Sequence, residues 1–483
     1  MSTRSTPSDA YHRGMKVLLV LPAGDRVRVE VGRPPLRRAM LRFSVMPLTV
    51  IAALTPSKHS VRLVDENVEA LDFDEDVDLV AVTFMTALAP RAYEIAAAFR
   101  KRGKTVVAGG YHPTFMPDET AQHFDAVVVG DAEGQWPQLL ADCEAGRLQH
   151  IYRRVTPCDA REIPVPRREL TARTARHYAT GDAVQAARGC PHACRYCSIT
   201  AFHKGVHRAR PLDAVVEEVR HLAGDFMFVD DNIIADSDYA RALFRALAPF
   251  GKRWVAQCSI EIADDAELLD LTRRAGCRGV FVGLETLDPR NLGGVDKDFG
   301  RCQTYAERIA RIRRQGIGVV AGIIVGLDHD DVTVFERTLH FLESAHVDVL
   351  QLNILTPLPG TPLFGQFERE GRILDRDWGH YDFRHAVIRP ARMSPAELQA
   401  GADWLLREFY RPWRIVRRTL AALLHLGLLP AWLSLRLNLT YRRDNRRESI
   451  VGWNPARQPR KESVLHRVVE EPARIDTAAR SSP

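Results

Sequence analysis

The run "MKVLLVLPAG", starting at Met15, is continuously apolar until Pro and Gly stop it. A strand apolar on every residue must be covered on both faces, which is the condition of a parallel sheet sandwiched between helices. The same signature recurs in "VRLVDEN", "VDLVAVTFMT", "KTVVAGGYHP" and "DAVVVGDAEGQ". Between these runs lie helical patterns such as "PRAYEIAAAFRKRG", closed by a basic turn and a glycine. The alternation predicts an α/β fold, with residues 15–150 as a doubly wound, Rossmann-type unit that binds ligands beyond the carboxyl ends of its strands. Those ends carry Thr83, Gly109, Gly110, His112, Gly130 and Glu133. Turn chemistry alone would account for the glycines.

Residues 151–183, with three prolines, many charges and no sustained period, read as an extended linker. Cys158 within it has no partner at metal spacing. From 184 to about 365 the alternation resumes through six β/α units, and polar residues gather at the strand ends. These are Asp230 and Asp231, Gln257 and Cys258, Glu285 and Thr286, the series Gly322, Ile324 and Gly326, then Asn353 and Thr356. Several such ends in register argue for a site.

At the start of this second series stands "RGCPHACRYCSIT", with Cys190, Cys194 and Cys197 in the spacing Cys-x3-Cys-x2-Cys. Eight cysteines in 483 residues are too sparse for a disulfide scaffold, and no apolar signal segment precedes the polar start. Structural zinc normally closes a four-ligand set, for which His192 and His203 are the available additions. Iron and sulfide suit thiolates equally well, and a cubane held by three thiolates keeps one iron open to another molecule.

The three cysteines, with Tyr196 before the last, resemble the CxxxCx(aromatic)C loop of the radical S-adenosylmethionine (SAM) superfamily. That resemblance implies a 4Fe-4S cluster on Cys190, Cys194 and Cys197 whose open iron is chelated by SAM, and an electron donor such as flavodoxin or ferredoxin. It also implies a partial (β/α)6 barrel over residues 184–365. Tyr196 would pack by the adenine, Gly322, Ile324 and Gly326 follow the GxIxG pattern at the adenosine, and Glu285 or Asp230 would hold the ribose or amino group. His329 stands where many relatives carry Glu. "AGGYHPTFMPDET" followed by "VVVGDAEGQWPQLL" resembles the cobalamin-binding domain of one large branch of the superfamily. The carry-over sets a corrin against Thr83, Gly109, Gly110, His112, Gly130 and Glu133. No DxHxxG signature is present, so His112 is expected to wall the pocket rather than to ligate cobalt.

In the commonest chemistry of that branch one SAM methylates cobalt and another supplies a 5'-deoxyadenosyl radical that activates the substrate. The resemblance therefore implies methylation of an unactivated carbon or phosphorus in a lipid or specialised metabolite. The alternative is transfer of the 3-amino-3-carboxypropyl group of SAM to a small acceptor such as a metalloid, or radical ring formation. Cys258 and Glu285 are the candidate catalytic side chains. Cys258 reads either as a small buried hydrophobe or as a thiol that donates hydrogen to a radical or holds a thiophilic substrate.

A net charge of +6 and the lack of a recognisable RNA-binding appendage speak against a nucleic-acid partner. The positive charge is concentrated: residues 407–447 hold ten arginines against Glu408 and Asp444. Residues 366–450 read as helical, opening with a capping sequence at Ser394 and Glu397. Leu420 to Leu433 is apolar but for His425 and is broken by Pro430, too short to span a bilayer. Packing over the barrel mouth is the expectation for it, and lying on an anionic membrane surface is the alternative. The expected location is cytoplasmic, with peripheral membrane contact in the second case. Residues 451–483 have the composition of a disordered tail.

Overall fold

The computed structural model describes residues 14–25, 27–30, 45–154, 156–178, 182–297 and 302–447. Strands β1 (Lys16–Leu21), β2 (Ser60–Asp65), β3 (Leu79–Thr83), β4 (Thr105–Gly109), β5 (Ala126–Val129) and β6 (Ile151–Arg153) form one parallel sheet in the order β2-β1-β3-β4-β5-β6. Alternate residues of β1 serve opposite layers. Val17 and Leu19 pack with the helices Met46–Leu54 and Gln135–Glu144, while Leu18 and Val20 join the cluster of helix Ala89–Arg100. This two-sided burial is why the strand is apolar throughout. The winding direction reverses between β1 and β3, and the crevice at that reversal is where such sheets bind ligands.

The sixth strand falls in the span expected to be a free linker. Only three residues long, with Tyr152 alone buried, it pairs with β5 as an edge and offers no pattern to read. The rest of the span is also fixed, by Tyr178 Oη donating to Asp65 Oδ2 at 3.0 Å and Arg168 Nη2 donating to the Ala183 carbonyl at 2.6 Å.

Strand β7 (Asp182–Val184) begins a second sheet. A separate antiparallel pair, β8 (Ala187–Arg188) and β9 (Arg208–Ala209), brackets the cysteine loop. Strands β10 (Phe226–Phe228), β11 (Trp254–Cys258), β12 (Cys277–Glu285), β13 (Gly318–Val325) and β14 (Val349–Ile354) follow, and the parallel order is β14-β13-β12-β11-β10-β7. Each crossover steps one place in the same direction, giving six strands that enclose a cavity, with β7 and β14 left as edges. This is the expected partial barrel. Outside it, Phe226, Phe228, Phe244 and Trp254 pack edge-to-face or tilted at centroid separations of 5.0–5.2 Å, and Trp254 Nε1 donates to the Ala275 carbonyl, so the indole is buried without an orphan donor.

Helix Pro395–Phe409 opens with the anticipated capping box: Ser394 Oγ accepts from Glu397 N and Glu397 Oε2 accepts from Ser394 N. It delivers Tyr410, whose hydroxyl donates to the Leu350 carbonyl on β14 at 2.6 Å. Helices Pro412–Leu426 and Leu428–Arg447 then form a hairpin that turns at Gly427, φ +91°. Asn438 locks the hairpin to the barrel by donating to the Asp348 carbonyl and accepting from Arg418. No helix among the described residues is long and apolar enough to cross a membrane. The expected disordered tail, 451–483, lies outside the described residues.

Candidate active site at the mouth of the partial barrel

The cysteine loop is held from beneath by two carboxylates at the end of β10. Asp230 accepts from Ala186 N at 3.0 Å and Ala187 N at 2.5 Å, and Asp231 accepts from Gly189 N at 2.9 Å. Gly189 has φ +83°, and a Cβ there would lie 2.2 Å from the Val206 carbonyl oxygen, so only glycine lets the chain pass β9 into the loop. Burial raises Asp230 to about 7 and Asp231 to about 6, against the opposing backbone hydrogen bonds. Asp230 is therefore spent on the loop's own backbone, which corrects the expectation that it meets the ribose or amino group of SAM.

Cys194 is buried while Cys190 and Cys197 are partly open. The Cys197 sulfur accepts from the backbone N–H of Thr200 and Ile199, and the Cys190 sulfur from that of His192. Burial raises Cys194 to about 11. Among the described residues the three thiols do not close into a compact ligand set with His192 or His203. His203 instead turns Nδ1 to Arg208 Nη2 at 2.8 Å, and burial with that cation lowers it to about 4. His203 is thereby turned from the thiols towards Arg208.

Opposite the loop, β12 is irregular. Gly283 pairs with Gly322 and Glu285 with Ile323, leaving Leu284 as the extra residue of a bulge, and Glu285 adopts φ +64°. Bulges re-aim side chains, and a left-handed non-glycine residue is strain kept for a purpose. Glu285 Oε1 receives Lys297 Nζ at 2.7 Å and hydrogen-bonds the Tyr196 phenol, whose ionisation burial and this carboxylate push far up. Lys297 Nζ also donates to the Gly283 carbonyl. Nothing in the pattern around "GGVDKDFG" marks Lys297 for this place.

Tyr196, Cys197 and Glu285 open on a cavity of about 610 Å³ inside the barrel. Its wall is mostly apolar, with Gln257 and Asn353 near the strand ends and Gln351, Ser434 and Tyr441 further along. Ile324 and Gly322 line it, and the Phe281 ring lies across Gly322, where a Cβ would come within 2.7 Å of Cζ. Gly326 does not line the cavity. It sits at φ +96° under Leu398, so it seats helix Pro395–Phe409 rather than an adenosine. Cys258 also fails its assignment: it is 2% exposed in the core between sheet and helices, and burial pushes its thiol far up. Its neighbour Gln257 takes the inward position, and the strand's period of two turns Cys258 away from any substrate.

At the first sheet the expected corrin residues divide. The ends of β1, β4 and β5 are bare: a Cβ on Gly24 or Gly130 would meet nothing within 4 Å, and one on Gly109 only Val128 Cβ at 3.9 Å. Thr83 ends β3 beside them, and Gly110, φ +104°, is demanded by contact with Thr83 Oγ1 and the Phe84 backbone. His112 is fully buried instead of walling the cleft. Its Nε2 lies 3.1 Å from Tyr93 Oη, and Glu119, Phe84 and Trp378 close over it. Glu133, 2% exposed, binds Arg188 Nη2 at 2.8 Å. With Asp131 and Cys158 it forms a compact group of metal-type ligands, but Arg188 and Arg208 occupy it: Arg208 Nη1 reaches Asp131 at 2.7 Å and Cys158 Sγ at 3.2 Å. Cys158, read as a bystander, is thus part of a buried seam.

The model of the radical SAM superfamily matches residues 184–342 and that of the B12 binding domain residues 40–140. Bacteriochlorophyllide d C-12(1)-methyltransferase of Chlorobaculum tepidum is 30% identical over 386 residues, 77% of this chain and 84% of that protein. The chain belongs to the cobalamin-binding branch of the radical SAM superfamily. The hopanoid C-2 methylase of Rhodopseudomonas palustris is 31% identical over 347 residues, 68% of this chain and 65% of the relative. In fold, the radical SAM methyltransferase TsrM of Kitasatospora setae superposes with a TM-score of 0.66 at 17% identity, covering 90% of this chain and 99% of that one. This radical SAM protein is accordingly a SAM-dependent transferase carrying out cobalamin-dependent methylation, with a 4Fe-4S cluster, SAM and cobalamin as cofactors. The residues fit these groups. Cys190 and Cys197 accept backbone donors of the kind that support iron-bound thiolates, and the bare glycine ends of β1, β4 and β5 leave space that a flat macrocycle would need. His112, sealed in its own network, offers that macrocycle no imidazole.

Proposed function

We propose that this enzyme methylates an unactivated carbon of an elongated, largely apolar small molecule of the lipid type, held inside the barrel. The observation that carries the reading is the cavity of about 610 Å³, which runs from Tyr196 and Glu285 to the hairpin helix Leu428–Arg447 and is apolar over most of its wall. A volume of that order holds a small, mostly hydrocarbon ligand. The cofactors supply radical activation of SAM and a methyl group. The chain's own residues do the rest. Tyr196, Glu285 and Ile324 would meet SAM, with Lys297 fixing the carboxylate of Glu285 where an amino N–H or a ribose hydroxyl can donate to it. Gln257 and Asn353 are the polar groups that would orient a substrate hydroxyl or carbonyl, and the apolar wall excludes water from a radical. The naming of relatives for methyl transfer to hopanoids and bacteriochlorophyllides supports a substrate of this class. Transfer of the aminocarboxypropyl group loses its support with Cys258, which cannot reach a substrate.

The test is anaerobic turnover of reconstituted enzyme with flavodoxin or ferredoxin as electron donor, using SAM labelled either in the methyl or in the aminocarboxypropyl group, on a total lipid extract. Label from the methyl alone in an extractable product is expected. Retention of the aminocarboxypropyl label in the product would overturn the reading.

A further inference from the structure

Helix Pro412–Leu426 is amphipathic in the reverse of the usual sense. Its buried positions are Ile415, Arg418 and Ala422, whereas Trp413, Val416, Leu420, Leu423 and Leu424 are exposed at helical spacing along one face. The same surface continues across the turn onto Leu428, Trp432 and Leu439 of the second helix. Leu424 and Leu428 are 81% and 78% exposed. A water-facing helix shows polar residues on its outer side, and so large an apolar face on the outside marks a contact surface.

The rim says what it contacts. Arg414 and Arg417 lie over the Trp413 ring and Arg436 over Trp432, at 4.5–5.4 Å from the centroids. Tryptophan and arginine side by side at the edge of an apolar face are the composition of an interfacial anchor, with the ring at headgroup level; Arg414 and Arg417 are held by Glu343, which leaves Arg436 beside Trp432 as the guanidinium to meet lipid phosphate. Residues 407–447 hold ten arginines against two acidic residues; Arg418 is buried and Arg411, Arg414 and Arg417 reach Glu408 or Glu343, and the balance still leaves the hairpin net positive. A second copy seated on it across a two-fold axis would bring these arginines against one another, whereas an anionic bilayer complements them.

We propose that the hairpin 412–447 seats the enzyme on an anionic lipid surface through this face. A second consequence rests on the proposed function. Pro430, Leu433, Ser434, Leu437 and Tyr441, on the other side of the second helix, line the barrel cavity. One helix thus has lipid on one side and the substrate chamber on the other, so an apolar substrate would leave the bilayer next to the chamber that receives it.

The experiment is flotation of the full-length protein with phosphatidylcholine vesicles, with and without phosphatidylglycerol, at low and high salt. Binding is expected only with phosphatidylglycerol, weakening as salt rises. The double variant Leu424→Glu, Leu428→Glu replaces two side chains that support no packing, and is expected to bind about tenfold less or weaker while keeping its circular dichroism spectrum and iron content. No flotation of the wild type, flotation unaffected by the double variant, or a dimer in solution that the double variant dissolves would each overturn the proposal. Turnover is not read, so failure here leaves the chemistry of the barrel untouched.

Discussion

The barrel mouth and the end of the first sheet were both expected to present polar side chains to a cofactor, and they do so differently. At the mouth a side chain is the working part: a bulge and a left-handed backbone aim Glu285 at Tyr196, and Lys297 holds it there. At the first sheet the polar side chains are turned away, His112 into an aromatic network and Glu133 onto Arg188, and what remains is bare backbone at Gly24, Gly109 and Gly130. Chelation of SAM needs directed charges. A large macrocycle is bound by area and shape, and a side chain at those glycines would fill space that such a ring would need.

The comparison breaks first at the cluster. Cys194→Ala should abolish formation of 5'-deoxyadenosine and lower bound iron, whereas Cys258→Ala, being a change in the core, should leave both intact. Loss of SAM cleavage in the Cys258 variant would return that thiol to the site. Next, Gly109→Leu should fill the bare strand end, so that the purified protein carries its iron but takes up no cobalamin on titration. Normal uptake would mean the corrin lies elsewhere. Glu285→Gln keeps the shape and removes the charge, and a lost charge-assisted hydrogen bond predicts SAM binding weaker by about ten- to a hundredfold, measured as a dissociation constant, with cobalamin uptake unchanged.

The smallest effect sharpens the seam between the regions. His203 is held neutral beside Arg208, its value lowered to about 4 from 6.5. The unfolded chain then binds more protons than the folded one between those values, so stability rises with pH across the window and is lost as pH falls from 6.5 towards 4. The slope is worth at most roughly 3 kcal/mol. His203→Gln should flatten it in urea melts taken across that range. An unchanged slope would assign it to other groups.

Legibility followed the number of neighbours a residue type must satisfy. Strands β1 to β5 could be read because burial on two faces forces an unbroken apolar run, and β6 could not because three edge residues carry no period. The cluster cysteines are legible through resemblance, because Cys190, Cys194 and Cys197 with Tyr196 match the loop of the radical SAM superfamily, whereas their spacing alone leaves zinc open. Side-chain direction at a strand end is not: Gln257 and Cys258 differ by one position and face opposite layers, and Asp230 looks like a ligand until it is found buried against the backbone of Ala186 and Ala187, away from the cavity wall. Lys297 and the hairpin wall at Ser434 and Tyr441 are brought to the site by the tertiary fold, from segments with no local motif.

Arg188 stands two residues before Cys190, and its guanidinium is fastened to Asp131 and Glu133 just beyond the end of β5. Separating the two units would leave buried charges unpaired, a loss of about 3–5 kcal/mol for such a pair. The span between the iron loop and the floor of the corrin cleft is thereby fixed like the arm of a gauge: a short covalent length on one side, an ionic clasp on the other. A cluster held by Cys190, Cys194 and Cys197 and a corrin held at the ends of the first sheet would therefore sit at a separation that the chain itself sets.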